Sequence, residues 1–314
     1  MPYHLLLDTS TLLYRAFFAL PASIADARGQ PVNAVHGYLD MVAYMLKDLR
    51  PDQIVHVYDH DWRPAGRVQA YAGYKANRPP DPEGLPVQFD ILREVLNATD
   101  MPQAEAPGWE ADDALGVLCA RAESGTRLDI VTGDRDLLQL VRDDVPIRVL
   151  FTTRGVSELT PFDEAAVLAK YGVPARRYVD FAILRGDPSD GLPGVKGVGE
   201  KTAQSLVTCY PTLDALLADT AAQTPRVAAS LEASRDYLAA MRAVVPVRTD
   251  VDVRSWAGRW DETKLAELGE RFRLSGAIRR VRAALDGAAL PSTGTGGGTT
   301  PSGDPADMQP PAPK

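Results

Sequence analysis

The sequence has little of what marks secreted, membrane or zinc-binding proteins. Its 314 residues include only two cysteines, Cys119 and Cys209, and each falls in a helical pattern. We therefore expect buried, reduced thiols rather than a disulfide or a zinc site. No apolar run approaches the roughly 20 residues that span a bilayer, and the start MPYHLLLDTS does not have the pattern of a signal peptide. These absences predict a cytoplasmic protein that does not contact membranes.

An excess of positive charge, the usual sign of nucleic-acid binding, is also lacking, because the net charge is −8. Nine of the 42 acidic residues, however, occur where apolar strands end or helices begin. They are Asp8, Asp59, Glu110, Asp112, Asp113, Asp134, Asp136, Asp187 and Asp190. The other acidic residues nearly balance the 34 basic ones. The net charge therefore does not exclude nucleic acid as a partner.

The hydrophobic pattern divides the chain into two unlike parts. Through residue 159, helical patterns alternate with four short apolar runs, HLLLDT, QIVHVYD, RLDIVTGD and VPIRVLF. This alternation predicts an α/β fold with a twisted, mostly parallel sheet flanked by helices. Residues 160–286 are almost entirely helical in pattern and predict a helical region. Residues 287–314 are rich in Gly, Pro, Ser and Thr and predict a disordered tail.

The positions of the nine carboxylates suggest a metal site. Asp8, Asp59 and Asp134 end predicted strands, where parallel sheets bind ligands, and the others open a helix in GWEADD or lie in the turns GDRD and GDPSD. Helix capping would also explain individual acids. If the fold gathers them, their repulsion requires divalent cations. Oxygen ligands without nearby histidine or cysteine favour Mg²⁺ or Mn²⁺, which predicts a two-metal phosphodiesterase.

Residues 60–84 interrupt the alternation of strands and helices and are long for a loop. Basic residues alternate there with aromatic ones, a composition that suits single-stranded nucleic acid. The basic residues are Arg63, Arg67, Lys75 and Arg78, and the aromatic ones are Trp62, Tyr71 and Tyr74. A solvated surface loop is the alternative interpretation.

A second motif, GLPGVKGVGEKTA at 191–203, predicts contact with a DNA backbone. Gly194, Gly197 and Gly199 permit a tight turn whose amides open onto a helix, and Lys196 and Lys201 add positive charge. A dinucleotide-binding fingerprint would need a strand immediately before the glycines, and DPSDGLP precedes them instead. We therefore predict a helix–hairpin–helix at 185–208.

Together these segments resemble the 5′-nuclease (flap endonuclease) family, and especially the N-terminal 5′→3′ exonuclease domain of bacterial DNA polymerase I. The matching segments are LLLDTSTLLYRAFFAL, AYAGYKANRPPDP, GWEADDALG, IVTGDRDLLQL and LRGDPSDGLPGVKGVGEKTA. No polymerase sequence follows, so the likeness is to a stand-alone member. The resemblance implies a PIN-like core with a helical arch at about 60–84, and a helix–three-turn–helix within a DNA-binding region at 160–286.

The resemblance also implies roles for particular residues. The family's acidic positions fall on the nine carboxylates, its catalytic arch positions on Tyr74, Lys75 and Arg78, and its monovalent-cation site, typically K⁺, near Val195 and Val198. With the basic residues above, the predicted DNA contacts are Arg63, Arg67, Lys75, Arg78, Gly194, Lys196, Gly197, Gly199, Lys201 and Thr202.

The implied activity is two-metal hydrolysis of DNA at 5′ flaps, nicks or 5′ ends in replication and repair. It leaves a 5′-phosphate and a 3′-hydroxyl and uses no small-molecule substrate; a monomer is expected. A ribonuclease and an inactive DNA-binding module are the rival interpretations.

Three positions depart from the family pattern. One extra residue between Asp59 and the pair Tyr74–Lys75 leaves Asp61 as a competitor of Asp59 for the ligand position, although the predicted strand ends at Asp59. Gly66 replaces an aromatic residue before Arg67, which predicts a looser arch. Gly191 replaces an asparagine beside the DPSD turn, which affects support of that turn.

Overall fold

A computed structural model describes residues 1–288, so the predicted disordered tail at 287–314 lies outside the described residues except for its first two. Seven strands form one sheet in the order β6-β5-β4-β1-β2-β3-β7. They are β1 Tyr3–Asp8, β2 Gln53–Tyr58, β3 Gln103–Glu105, β4 Arg127–Thr132, β5 Ile147–Thr152, β6 Leu159–Phe162 and β7 Arg254–Trp256. The five central strands are parallel, and β6 and β7 pair antiparallel at the edges. The predicted mostly parallel α/β fold is confirmed.

Thirteen α-helices accompany the sheet in the described part of the chain. Five belong to the first half: α1 Thr9–Ala19, α2 Asn33–Leu49, α3 Ala65–Ala70, α4 Leu85–Asn97 and α5 Ala111–Ala120. The others are α6 Glu164–Tyr171, α7 Tyr178–Arg185, α8 Glu200–Cys209, α9 Leu213–Ala218, α10 Pro225–Ala233, α11 Arg235–Val244, α12 Glu262–Arg271 and α13 Ser275–Ala288. No helix within residues 1–288 is long and apolar enough to cross a membrane.

Apolar residues cover both faces of the sheet. In β1, Leu6 packs into one core with Leu115 of α5, whereas Leu5 and Leu7 pack into another with Val42 of α2. Successive side chains of a strand point to opposite faces, so a strand covered on both sides is apolar at every position. This explains why the central strands were visible in the sequence as continuous apolar runs.

The C-terminal part, from residue 160 onward, is joined to the sheet more closely than its helical pattern predicts. Strand β6 pairs with β5, and β7 returns to pair with β3. Helix α13 packs along α2, where Ile278 and Val281 join the core that contains Leu39 and Val42. Strands β3, β6 and β7 have only three or four residues, too few to establish an alternating pattern.

The arch, residues 60–84, contains α3 and then a series of turns that brings it against the DPSD turn. The Lys75 amide donates to the Asp190 carbonyl at 2.8 Å. Gly191 has a φ of +73°, and a side chain there would collide with the carbonyl of Gly73. Glycine at this departure from the family pattern therefore permits close contact between the arch and the turn.

Candidate active site

Three of the predicted carboxylates meet at the carboxyl edge of the sheet. Asp8 ends β1, while Asp59 and Asp134 follow the neighbouring strands β2 and β4. Because these strands are parallel, their ends share one edge. Asp8 Oδ1 accepts the Thr11 amide at 3.1 Å, and Oδ2 accepts the Thr132 hydroxyl at 2.7 Å. Asp8 therefore caps α1 and is also held against the end of β4.

Helix α5 brings a fourth carboxylate to this edge. The Ala111 amide donates to Asp59 Oδ1 at 2.7 Å, which fixes the first turn of α5 beside the end of β2. Burial, and then the charges of Asp134 and Asp8, raise the pKa of Asp112 well above its usual range. Burial and the charge of Asp59 raise the pKa of Asp8 to about 6. These four carboxylates therefore share one electrostatic environment.

The 3₁₀ helix Asp136–Leu140 and the DPSD turn extend this environment. A cavity of about 180 Å³ has Asp134, Asp136, Asp187 and Asp190 in its walls. Burial, and then the charges of Asp134 and Asp190, raise the pKa of Asp136 to about 8. Seven of the nine predicted carboxylates thus form what we call the acidic cluster. Its members are Asp8, Asp59, Asp112, Asp134, Asp136, Asp187 and Asp190.

The donor chemistry of the acidic cluster fits hard divalent cations. Burial and then the repulsion of neighbouring carboxylates raise the pKa of Asp8, Asp112 and Asp136, and bound cations would remove that repulsion. Within residues 1–288, no three metal-binding side chains converge closely enough to hold an ion as they stand. The fit therefore rests on seven carboxylate donors without histidine or cysteine, the ligand class of Mg²⁺ and Mn²⁺.

The structure does not bring Glu110 and Asp113, the other two predicted metal ligands, into the acidic cluster. Both are buried and form the capping box of α5. Arg67 pairs with both of them, and the Arg248 amide donates to Asp113 Oδ1 at 2.9 Å. Glu110 also pairs with Lys75. In the structure the partners of these two carboxylates are Arg67, Lys75 and a backbone amide, whereas the sequence predicts metal ions as their partners.

The structure also corrects the prediction that Arg67 contacts DNA. Its side chain is 3% exposed, and Nε donates to the Val244 carbonyl at 3.0 Å while the other nitrogens pair with Glu110 and Asp113. Two bonds to Asp113 and one to a backbone carbonyl hold this guanidinium in place, whereas the ion pairs of Lys75 within residues 1–288 include Glu110 alone. It anchors the base of the arch on α5. The looser arch predicted from Gly66 stays a prediction.

The arch residues predicted to be catalytic all contact carboxylates. The Tyr74 hydroxyl donates to Glu110 Oε2 at 2.6 Å, and Lys75 Nζ forms an ion pair with the same carboxylate. Arg78 Nη2 lies 2.8 Å from Asp190 Oδ1 in the acidic cluster. Arg63, a predicted DNA contact, donates instead through Nε to the Tyr74 carbonyl at 2.7 Å and so braces the arch.

Asp61, the alternative to Asp59 as a metal ligand, makes a local contact within its loop. Its Oδ1 accepts the Arg63 amide at 2.9 Å, whereas Asp59 accepts the first amide of α5 and acts electrostatically on Asp8. Asp59 is therefore the residue that the structure places in the acidic cluster.

The predicted hairpin lies between α7 and α8. Gly194 and Gly197 have φ values of +68° and +78°, which favour glycine. The Gly194 amide donates to the Tyr237 hydroxyl at 3.1 Å, so it already has a partner. The side chains of Val195 and Val198 are buried, and the Val198 amide donates to the Val195 carbonyl at 2.9 Å.

The open part of the hairpin is its second half. Gly199 caps α8 at its N-terminus, and a Cβ there would meet nothing within 4 Å. Lys196 and Lys201 are exposed, and Thr202 is half-buried. The turn therefore presents positive charge and an open helix N-terminus, as the motif predicts.

Residues 244–248 were not recognised from the sequence, although they connect the elements of the site. Their backbone bonds with Arg67 and Asp113, and the Gln139 side chain accepts one of their amides at 2.8 Å. The segment thus connects α5 with the 3₁₀ helix that begins at Asp136. Because these bonds are made by the backbone of residues 244–248, the pattern of side chains in the sequence does not predict them.

Two families match the chain in succession. The one described as "5'-3' exonuclease, N-terminal resolvase-like domain" matches residues 3–172, and "5'-3' exonuclease, C-terminal SAM fold" matches residues 173–268. Their junction falls 13 residues after the predicted boundary at residue 159.

Solved structures share the fold at low sequence identity. The bacteriophage T5 D15 protein, co-crystallised with metal ions, is 15% identical with a TM-score of 0.62, and the match covers 91% of this chain and 99% of that one. The catalytic core of Rad2, in complex with DNA substrate, is 15% identical with a TM-score of 0.55 and coverage of 90% and 91%.

Relatives in sequence are much closer. A 5'-3' exonuclease of Mycobacterium tuberculosis is 41% identical over 309 residues, which cover 90% of this chain and 97% of the relative. DNA polymerase I of Mycobacterium bovis is 44% identical over 252 residues, which cover 80% of this chain but only 28% of that protein. With two successive family matches and a relative aligned along nearly its whole length, the chain belongs to the 5'-3' exonuclease family.

Proposed function

We propose that this chain is a divalent-metal-dependent 5′ nuclease that cuts DNA at the junction of a 5′ flap and, more weakly, degrades 5′ ends. The observation that carries the proposal is the acidic cluster at the sheet edge, where Arg78 of the arch pairs with Asp190 and the charge of Lys75 acts on Asp112. Mg²⁺ or Mn²⁺ would be held by the seven aspartates of the cluster. Relatives named 5'-3' exonuclease and DNA polymerase I support a role in DNA replication and repair.

Bound divalent cations would supply charge neutralisation and polarisation of the phosphate and the attacking water, as in two-metal phosphodiester hydrolysis. The chain's own residues position the strand that is cut. Lys75 and Arg78 are paired with Glu110 and Asp190, and a phosphate at the cluster would compete for the same cations. Their charge would then stabilise the pentavalent transition state, and the products would carry a 5′-phosphate and a 3′-hydroxyl.

The hairpin would hold the duplex while the arch receives the 5′ strand. In this proposal residues 1–159 provide the catalytic core, to which the DPSD turn adds Asp187 and Asp190, and the helices after 160 bind DNA. Residues 254–288 instead complete the sheet and its core. K⁺ near Val195 and Val198 would bridge protein carbonyls and a DNA phosphate. A monomer in the cytoplasm is part of the proposal, and free cysteines fit a reducing compartment, although Cys209 is exposed and only Cys119 is buried as expected.

A flap duplex labelled at its 5′ end tests the proposal directly. The chain is incubated with it in EDTA, Mg²⁺ or Mn²⁺, and the products are sized. Metal-dependent cuts at the junction are expected. Equal cutting of an RNA flap would favour a ribonuclease instead, and flap binding without cleavage in any divalent metal would identify an inactive binding module.

Replacing Lys75 by Ala is expected to slow cleavage of flap DNA by about 10²-fold, because an oriented charge at the phosphate is lost. The readout is the single-turnover rate at saturating enzyme in the better metal. Lys47→Ala removes an exposed lysine of α2 and serves as the matched control. A Lys75→Ala rate within twofold of the control would remove the arch lysine from the catalytic step.

A further inference from the structure

Three polar side chains are hydrogen-bonded to one another inside the core that α2 forms with the sheet. The Tyr38 hydroxyl of α2 lies 2.6 Å from Nδ1 of His56 in β2 and 3.1 Å from the Thr9 hydroxyl at the start of α1. The Thr9 hydroxyl also donates to the Leu7 carbonyl at 3.4 Å. Thr9, Tyr38 and His56 are fully buried. We call these three side chains the buried triad.

The buried triad is costly to fold, because its surroundings are apolar and one of its polar atoms has no partner. Tyr38 belongs to the same core as Leu39 and Val42. Within residues 1–288, Nε2 of His56 is buried without a hydrogen-bond partner. Apolar side chains at these positions would avoid that cost. Polar groups that interrupt an apolar core in this way are expected where they fix a particular geometry.

One order of donation satisfies nearly all of the triad. Burial lowers the pKa of His56 to about 3, so the imidazole is neutral and carries one ring proton. If Nδ1–H donates to Tyr38, the Tyr38 hydroxyl can donate to Thr9 and the Thr9 hydroxyl to the Leu7 carbonyl. Only the lone pair of Nε2 then lacks a partner within residues 1–288. The opposite order would leave a buried N–H group without an acceptor, which is rarer in proteins.

The buried triad ends at the two residues that flank Asp8 of the acidic cluster. It holds the side chain of Thr9 and the carbonyl of Leu7. The carboxylate of Asp8 is held separately, by the Thr11 amide and the Thr132 hydroxyl. The triad therefore fixes the backbone that carries Asp8, rather than the carboxylate itself. A metal ligand must be oriented to within about 0.5 Å, so a shift of this backbone would misplace it.

We propose that Tyr38 and His56 are positioning residues for metal binding, because through Thr9 they fix the backbone on both sides of Asp8 before a divalent cation binds. Both side chains are fully buried, so neither contacts DNA or a cation. Their loss should weaken metal binding without removing a ligand. The inference rests on the proposed function, because it assumes that Asp8 is a metal ligand.

Calorimetric titration of the DNA-free full chain with Mn²⁺ tests this role without any reaction. Tyr38→Phe keeps the aromatic ring and removes the hydroxyl, and it is expected to weaken Mn²⁺ binding about tenfold. Thr9→Val should give a similar loss. Thr9→Ser keeps the hydroxyl and should bind Mn²⁺ within about twofold of the wild type. If Thr9→Val does not fold, Tyr38→Phe and His56→Leu are measured in its place and the same loss is expected.

Thr99→Val is the matched control for Thr9→Val. Thr99 is buried, and its hydroxyl donates to the Leu96 carbonyl at 2.7 Å. It precedes β3 and so lies at the other end of the parallel strands from the acidic cluster. The control should lose stability in urea titration, as expected for a lost buried hydrogen bond, but keep the wild-type affinity for Mn²⁺. Wild-type affinity in Tyr38→Phe and Thr9→Val, or an equal loss in Thr99→Val, would overturn the inference.

His56→Leu separates positioning from stability. It removes the ring nitrogen that has no partner within residues 1–288, so the free energy of unfolding should change little while Mn²⁺ affinity falls. Adding His56→Leu to Tyr38→Phe should cause no further loss of affinity, because the same connection is already broken. Fully additive losses would contradict a connected triad. A wild-type chain that neither binds Mn²⁺ nor cleaves flap DNA would contradict the proposed function itself, whereas Mn²⁺ binding that is independent of the triad contradicts only this extension.

Discussion

Replacing Asp134 by Asn is expected to abolish cleavage of flap DNA, with a rate lower by about 10³-fold or more. DNA binding should be kept or become tighter. Asp134 interacts with both parts of the acidic cluster, the part that contains Asp112 and the part that contains Asp136. Its charge raises the pKa of Asp112 and of Asp136, and it lines the cavity shared with Asp187 and Asp190. A metal ligand is lost with the charge, so the reaction should stop.

The binding result follows from the same charge. Without bound cations the acidic cluster repels a DNA phosphate, and the amide removes one of the repelling charges at nearly constant shape. Cleavage is measured as a single-turnover rate, and affinity is measured in EDTA with the same flap duplex. Together the two readouts distinguish loss of chemistry from loss of folding.

Asp100→Asn provides the matched control, since Asp100 is an exposed aspartate that follows α4, away from the acidic cluster. It makes the same change of charge and shape, and wild-type cleavage is expected. Retained cleavage in Asp134→Asn would contradict the metal-ligand assignment of this aspartate. A parallel loss of cleavage and of affinity would indicate a structural role instead.

The acidic cluster could be predicted because its residues follow features that are local in sequence. Asp8, Asp59 and Asp134 each end a continuous apolar run, and the parallel arrangement of those strands brings their ends together. The hairpin was recognisable for a similar reason, since its glycines and lysines occupy one short segment. The seven clustered carboxylates and the turn therefore needed only local patterns and one rule of sheet topology.

The separation of Glu110 and Asp113 from that cluster could not be predicted in this way. Their partner Arg67 lies 43 and 46 residues earlier in the chain. It appears in the sequence as one basic residue among several in a polar loop, and the backbone carbonyl that completes its environment lies 177 residues later. Long-range pairing of buried charges leaves no periodicity, so GWEADD appeared in the sequence as one uniform set of ligands.

Replacing Arg67 by Ala is expected to destabilise the fold by about 3–5 kcal/mol, because it removes the cation that two buried carboxylates share and leaves one of them, Asp113, without a side-chain cation. Glu110 is 4% exposed and Asp113 is fully buried. Lys75 still pairs with Glu110 in this variant, so the unpaired charge falls mainly on Asp113. The measurement is the free energy of unfolding from urea titration, with the cleavage rate under fully folded conditions as the second readout.

Cleavage should fall as well, because Arg67 connects the arch to α5 and to residues 244–248. Asp112 lies beside Asp113 on α5, and the same segment bonds Gln139 in the helix that begins at Asp136. Loss of the Arg67 side chain would therefore disturb both Asp112 and Asp136 without removing a carboxylate from the acidic cluster. Arg67→Lys should retain part of the stability, since it keeps the charge but loses the bidentate contact.

Two further variants separate pairing from packing. Arg242→Ala removes an arginine whose partner Asp214 is exposed, and little change in stability is expected because solvent screens such pairs. Adding Asp113→Asn to Arg67→Ala should recover part of the lost stability, since the uncompensated charge is then absent. If the double variant is no more stable than Arg67→Ala alone, the loss comes from the packing and backbone bonds of the Arg67 side chain, and charge neutralisation at the base of the arch is not what holds α5 in place.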